Sequence, residues 1–124
     1  MVKRIFVVQK HFAKNLHWDF RLELDGVLKS WVVPKEPSNE ANIKRLAIST
    51  EDHDLSYADF EGVIPEGQYG AGVVKIWDKG TYNLVDRKDF KLIVELKGEK
   101  MQGKYYIVHM KDKQWLIFKK NESL

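Results

Sequence analysis

Cysteine is absent from this chain, which excludes disulfide staples and any zinc or iron–sulfur centre held by thiolates. The absence also fits a reducing compartment, so the expected localisation is cytoplasmic. Proline occurs only three times, and no apolar run approaches the roughly 20 residues that span a bilayer. No membrane partner is therefore expected. Met1-Val2-Lys3-Arg4 ahead of Ile5-Phe6-Val7-Val8 is too short for a signal peptide and reads as the lead-in to a first strand. Arginine is scarce. Arg4, Arg21, Arg45 and Arg87 are the whole set, and lysine supplies the rest of the positive charge behind a net +3. So small a balance permits contact with nucleic acid without demanding it. No repeat, low-complexity tract or linker interrupts the 124 residues, which are read as a single domain over 1–124 with room for a real core.

What the chain does have is an alternating stretch rich in chemistry. His17, Asp19, Arg21 and Glu23 interleave with Trp18, Phe20, Leu22 and Leu24. Successive strand side chains point to opposite faces, so this is one strand with an apolar face and a reactive one. Asp25-Gly26 suits the positive-φ positions of a type I′ hairpin turn. A two-residue turn there pairs Leu24 with Val27, Phe20 with Trp31 and Arg21 with Ser30. Trp18, Phe20, Leu22, Leu24, Val27, Trp31 and Val33 then share the core face, while His17, Asp19, Arg21, Glu23 and Ser30 share the other, as the floor of an open cleft. Pro34 ends the returning strand, because it cannot donate to the ladder.

The remaining segments read as short strands and turns. Arg4 to Gln9 is a first strand, and Lys10 to Leu16 a loop carrying His11. Arg45 to Thr50 is a strand followed by an acidic loop, Glu51 to Asp54, that holds His53. One helical turn is expected around Ser56 to Glu61. Gly62 to Gly72 reads as an irregular loop that lacks the Lys-Ser/Thr ending of a phosphate-cradling P-loop. Val73–Trp77, Thr81–Val85, Phe90–Leu96, Lys104–His109 and Trp115–Lys119 complete the set, with Lys79-Gly80 among the separators. About nine short strands at this spacing point to an all-β, mainly antiparallel fold, a closed or nearly closed barrel with short helical turns. His109, in an apolar strand, reads as structural.

The chemistry of the reactive face is specific. His17 and Asp19 lie on one strand face, with His11 a few residues upstream, and two imidazoles with a carboxylate are donors for a first-row divalent ion. Arg21, two residues further on, offers a planar fork for an oxyanion. Singly, each of these residues is ordinary on an exposed strand. Together they read as a metal–phosphate site. Two other classes stay open on the residues alone. One is a non-haem iron oxygenase, which also uses two histidines and a carboxylate. The other is a non-catalytic nucleic-acid-binding barrel, although Trp18, Phe20 and Trp31 fall on its core face and not on a stacking surface.

Four segments carry a family resemblance: Phe6 to His11, Leu16 to Glu23, Asp25 to Lys35, and Phe60 to Gly72. In order and composition they resemble the 3′-phosphoesterase domain of DNA ligase D, from about Phe6 to Tyr82, with only general strand character from Asn83 onward. The resemblance implies a metal-dependent enzyme of DNA repair by non-homologous end joining. It would remove a terminal 3′-ribonucleoside from a primer strand and then hydrolyse the 3′-phosphate to a 3′-hydroxyl. It implies manganese as the preferred ion, with cobalt or zinc able to occupy the site, held by His11, His17 and Asp19. It implies phosphate-contacting and catalytic roles for Arg21, Lys35, Arg45, His53 and Tyr57, with Glu51 as an acidic partner. The implied partner is primer-template DNA with a 3′-ribonucleotide or 3′-phosphate end. The chain shows no nucleotidyl-transfer lysine motif, so it is expected to be a stand-alone version working beside a separate ligase and polymerase.

Overall fold

Strict alternation sorts the second strand into two faces, and the computed structural model, which describes residues 3–121, builds a barrel on that division. Met1 and Val2 of the amino-terminal tetrapeptide lie outside the described residues. The strands are β1 (Arg4–Phe12), β2 (Leu16–Leu24), β3 (Val27–Val33), β4 (Arg45–His53), β5 (Gly62–Ile64), β6 (Gly72–Lys88), β7 (Lys91–Lys97), β8 (Gln102–Lys111) and β9 (Gln114–Lys119). A 3₁₀ helix, Leu55–Asp59, follows β4. Eight strands run in the order β1-β2-β3-β4-β9-β8-β7-β6, all neighbours antiparallel, and the β6–β1 pairing closes the ring. Strand β5 lies outside the ring on the first residues of β6. No helix among the described residues is long and apolar enough to cross a membrane.

The β2–β3 hairpin has the expected register: Leu24 opposes Val27, Phe20 opposes Trp31 and Arg21 opposes Ser30. Asp25 and Gly26 both take positive φ, 57° and 80°, as a turn matched to strand twist requires. Trp18, Phe20, Leu22, Leu24, Trp31 and Val33 join Phe6, Leu96, Tyr105 and Ile107 in one buried cluster that fills the interior. The barrel is thus a packed core and not a pore.

Four expectations change. His11 is not in a loop, because β1 continues to Phe12 and His11 pairs directly with His17. His53 is not in a loop either, because β4 runs to His53 through a bulge: Ser30 opposes Thr50, but Leu28 opposes His53. One extra residue in β4 reverses the alternation and turns His53 to the same outer face as Leu28. Lys79-Gly80 separates nothing and sits inside the 17-residue β6. The segment 62–72 is irregular only in part, since Gly62–Ile64 forms β5.

The outer face carries its own small cluster. Val7, Leu28 and Ala58 are buried together, with Ile5, Tyr57 and Ile76 against them. A single 3₁₀ turn has little stability of its own, whereas fully burying a Val or Leu side chain contributes roughly 1.5–3 kcal/mol. Packing, not helix propensity, therefore holds Leu55–Asp59 down on β1 and β3.

Asp78, on the adjoining strand β6, fastens a turn. Its buried carboxylate accepts hydrogen bonds from the backbone N–H groups of Lys79 (2.9 Å), Glu99 (2.9 Å), Lys100 (3.2 Å) and Met101 (2.8 Å). These bonds tie the β7–β8 turn to β6. Asp78→Ala leaves the turn donors without their acceptor, and each orphaned buried donor costs roughly 1–3 kcal/mol. The expected loss is about 2–4 kcal/mol in urea unfolding. A change below about 0.5 kcal/mol, the level of an ordinary surface substitution, would show that water replaces the carboxylate freely.

Candidate functional site

On the outer face of β1 and β2 the same alternation brings Gln9, His11, Asp19 and Arg21 together. Asp19, Arg21, His11 and Gln9 are all buried there, so the floor is not the open cleft expected from sequence. The 3₁₀ helix and the loop 65–71 wall it in, and the resulting cavity of about 320 Å³ is lined by His11, His17, Asp19, Arg21, His53 and Tyr57, with Thr50, Tyr69 and Gly70 at its edge.

Asp19 is the hub. His11 Nδ1 lies 3.5 Å from Asp19 Oδ2, His17 Nε2 lies 3.4 Å from Oδ1, and Arg21 Nη2 lies 3.6 Å from Oδ2. One donor atom from each of His11, His17 and Asp19 falls within 4.8 Å of the others. The far side of each ring is anchored by a carbonyl: His11 Nε2 donates to Gly70 O at 2.7 Å, and His17 Nδ1 donates to Asn15 O at 2.9 Å. In the neutral rings those bonds leave His11 Nδ1 and His17 Nε2 as lone pairs facing Asp19, which is how protein carbonyls fix the tautomer of a metal-binding histidine. The donor set and its tautomers fit a divalent ion.

Charge in the cluster follows from burial and pairing. Burial alone would push the Asp19 carboxyl up, but the His17 hydrogen bond and the Arg21 charge overcome it and hold Asp19 below its ordinary 3.8. The hydrogen bond to Asp19 raises His17 above 6.5 against the opposing effect of burial. Burial lowers His53, and the Arg21 charge lowers it further, so this imidazole is neutral near pH 7. Burial likewise raises the Tyr57 hydroxyl.

Arg21 is held from several sides. Its Nε donates to Gln9 Oε1 at 2.7 Å, and Nη1 donates to Ser30 Oγ at 2.8 Å and to His53 Nδ1 at 3.1 Å. A guanidinium can only donate, so His53 Nδ1 accepts and the ring proton sits on Nε2. Glu51 O, also 3.1 Å from Nδ1, is then a close neighbour of that acceptor and not its partner. The Tyr57 ring covers the guanidinium at 5.0 Å and lies 4.8 Å from His53. With Nε and Nη1 engaged inside the protein, Nη2 is the nitrogen turned toward Asp19. The two-pronged grip on an oxyanion expected from sequence is therefore reduced to that single nitrogen.

The structure does not gather every candidate. Lys35 and Arg45 line a separate surface cavity with Pro34, Lys44 and Leu46, and Arg45 Nε donates to Glu36 O at 2.8 Å. Arg45 has the strand parity of buried Ala47, so it leaves the barrel at the rim and not on the face of Thr50. The Glu51 side chain is exposed and lines a neighbouring cavity. Conversely, sequence reading passed over Gln9, and it placed Ser30 on this face without giving it a role. Gln9 Nε2 donates to Tyr57 O at 2.8 Å and to Phe60 O at 3.2 Å while its Oε1 holds Arg21. Extending the alternation back from His11 would have placed Gln9 on this face.

Comparison with known proteins bears on the same residues. A sequence model of the DNA Ligase D 3′-phosphoesterase domain matches residues 9–109. The chain belongs to the DNA ligase D 3′-phosphoesterase family. The chain is 48% identical to a multifunctional non-homologous end joining protein LigD of Pseudomonas aeruginosa, over 95% of its own length and 15% of that protein. It is 48% identical to the corresponding DNA repair protein of Mycobacterium tuberculosis, again over 95% of the chain and 16% of the relative. A LigD protein of Mycolicibacterium smegmatis is 43% identical over 95% and 17%. The chain thus spans about one sixth of the length of these relatives. The 3′-phosphoesterase likeness runs past Tyr82 to residue 109, so the expectation of mere strand character from Asn83 onward is corrected.

In this chain the His17–Asp19 pair sets a pH dependence. His17, raised above 6.5, stabilises the metal-free fold fully below that value and loses its contribution as pH climbs through the higher folded value. Asp19, lowered below 3.8, contributes above that value and fails as pH falls through its folded one. A metal ion needs His17 neutral, so protons compete with it already above pH 6.5. Affinity for a divalent ion such as manganese, measured by calorimetric titration, should weaken before pH falls to 6.5. An affinity that stays flat down to that value would contradict the assignment of His17 as a ligand.

Proposed function

We propose that this protein is a manganese-dependent DNA 3′-phosphoesterase of end joining, acting on primer-template DNA with a 3′-ribonucleotide or 3′-phosphate end. It removes a terminal ribonucleoside to leave a 3′-phosphate and then hydrolyses that phosphate to a 3′-hydroxyl. The observation that carries this reading is the meeting, on Asp19, of a metal-ligand trio and a buried arginine whose Nη2 lies 3.6 Å away. Residues 1–124 act as one domain, in the cytoplasm, beside a ligase and a polymerase.

His11, His17 and Asp19 hold the ion, and cobalt or zinc can take the same donors. When bound, the ion supplies Lewis-acid charge and acidifies a water ligand. Arg21 Nη2 binds a phosphoryl oxygen beside it and neutralises the charge that grows there. His53 presents its Nε2–H to another oxygen or to the departing group, and Tyr57 orients the same oxygens through its hydroxyl while covering Arg21. Lys35 and Arg45 contact phosphates of the strand from their own cavity. Glu51 serves as an acidic partner from the neighbouring cavity. A buried cluster of this composition favours the enzyme over a binding barrel, because binding alone does not require two imidazoles, a carboxylate and an arginine shielded from water.

The test is an end-labelled primer-template with a single 3′ ribonucleotide, incubated with and without manganese. A 3′-phosphate intermediate followed by a 3′-hydroxyl product is expected only with the metal. An unchanged primer defeats the proposal.

A further inference from the structure

Among the described residues one aromatic ring is far more exposed than the rest. Tyr69 is 95% exposed, while Trp18, Phe20 and Trp31 are sealed inside the barrel. Its loop is well braced: Gln68 N donates to Pro65 O at 3.2 Å, Ala71 N donates to Gln68 O at 3.1 Å, and Gly67 and Gly70 take φ of 87° and 77°. The next carbonyl, Gly70 O, accepts from His11 Nε2. Tyr69 is therefore an exposed ring whose backbone is tied to the metal-ligand cluster.

Tyr69 also lines two cavities at once. One is the site already described. The other, of about 370 Å³, is bounded by Ser49, Thr50, Glu51 and Lys113, and Thr50 is shared by both. Ser49 N donates to Lys113 O at 2.8 Å, which fixes the β8–β9 turn and its lysine at that edge. The second cavity thus has an aromatic wall on the side of the reactive cluster and a cation on its border.

We propose that Tyr69 is the stacking platform for the terminal nucleobase of the strand whose 3′ end enters the cluster, and that the cavity beside Thr50 receives that base. This rests on the 3′-end-processing reading above. A terminal phosphate held at the cluster leaves its own nucleoside at the rim, where the ring stands, and Lys113 lies within the same cavity to meet the next phosphate. Stacking tolerates every base, as an enzyme that trims ends of any sequence requires. The size of such a contact corresponds to about 5–150-fold in affinity.

Metal-free protein and fluorescence anisotropy test the contact without turnover. Two labelled primer-templates, both with a 3′-phosphate on the primer strand, differ only at the last primer nucleotide, which carries either a base or a stable tetrahydrofuran in its place. The parent should bind the base-bearing primer-template at least about 5-fold more tightly. Tyr69→Ala should weaken binding of only that one and erase the preference, whereas Tyr69→Phe should keep it. Equal weakening of both primer-templates by Tyr69→Ala would assign the ring a loop-bracing role and overturn the inference, as would loss of the preference in Tyr69→Phe, which would assign the hydroxyl. A parent that binds and, with manganese, hydrolyses both primer-templates with no preference overturns it alone. A parent that neither binds nor hydrolyses either one overturns the 3′-end reading and the inference with it.

Discussion

Asp19→Ala is expected to lose bound manganese and to lower turnover on a 3′-phosphate end by on the order of 10³-fold or more. Asp19 is the carboxylate that His11, His17 and Arg21 all approach, at 3.4 to 3.6 Å. Without it, two imidazoles remain and hold a divalent ion far less well. The same change leaves Arg21 buried beside no carboxylate. Breaking a buried pair commonly costs about 3–5 kcal/mol. The lower end applies here, because the 3.6 Å contact is loose and Gln9 and Ser30 still receive Arg21. Asp19→Asn separates the two effects. It keeps the volume and an acceptor oxygen, so it should preserve more of the fold while losing metal and activity. Metal content by mass spectrometry and urea unfolding report on each. An Asn variant with the parent's metal content and rate would remove Asp19 from the site.

Arg21→Lys is expected to keep the metal and still lose about 10²–10³-fold in kcat/KM. A lysine retains the charge but presents one nitrogen where Arg21 presents three, and it cannot reach Gln9 Oε1, Ser30 Oγ and His53 Nδ1 together. His53 then loses the donor that fixes its tautomer, and Gln9 loses a partner while still holding Tyr57 O and Phe60 O. Each buried group left unpaired costs roughly 1–3 kcal/mol, so stability should fall as well. Retained manganese distinguishes this variant from Asp19→Ala. Full activity would show that the guanidinium geometry is irrelevant.

The core and the hairpin were legible because alternation has a fixed period and Asp25-Gly26 has a fixed turn chemistry. Faces, register and the pairing of Arg21 with Ser30 all follow from those two signals. The bulge in β4 was not legible, since an inserted residue leaves no periodic trace, and so Glu51 to His53 looked like an acidic loop. Gly80 misled for a different reason. Its missing side chain makes room for the Lys97 carbonyl of the adjacent strand, and a Cβ there would strike it. A glycine required for close packing is indistinguishable in sequence from one required for a turn. Lys35 was hidden because Pro34 ends the ladder, and beyond it no register says where a side chain goes.

The fastening of the 3₁₀ helix has a consequence in time as well as in space. Leu55–Asp59 is a short 3₁₀ turn held from outside by the Gln9 side chain, the Lys79–Asp59 ion pair and the packing of Ala58. Barrel amides sit in a closed ladder and can exchange with deuterium only when the whole ring opens, whereas the 55–60 amides can exchange through a local opening of much lower free energy. Each such opening carries the Tyr57 ring off Arg21. Hydrogen exchange is therefore expected to show faster uptake at 55–60 than in the barrel, and a ligand that contacts both Tyr57 and Arg21 is expected to slow it by suppressing that local opening.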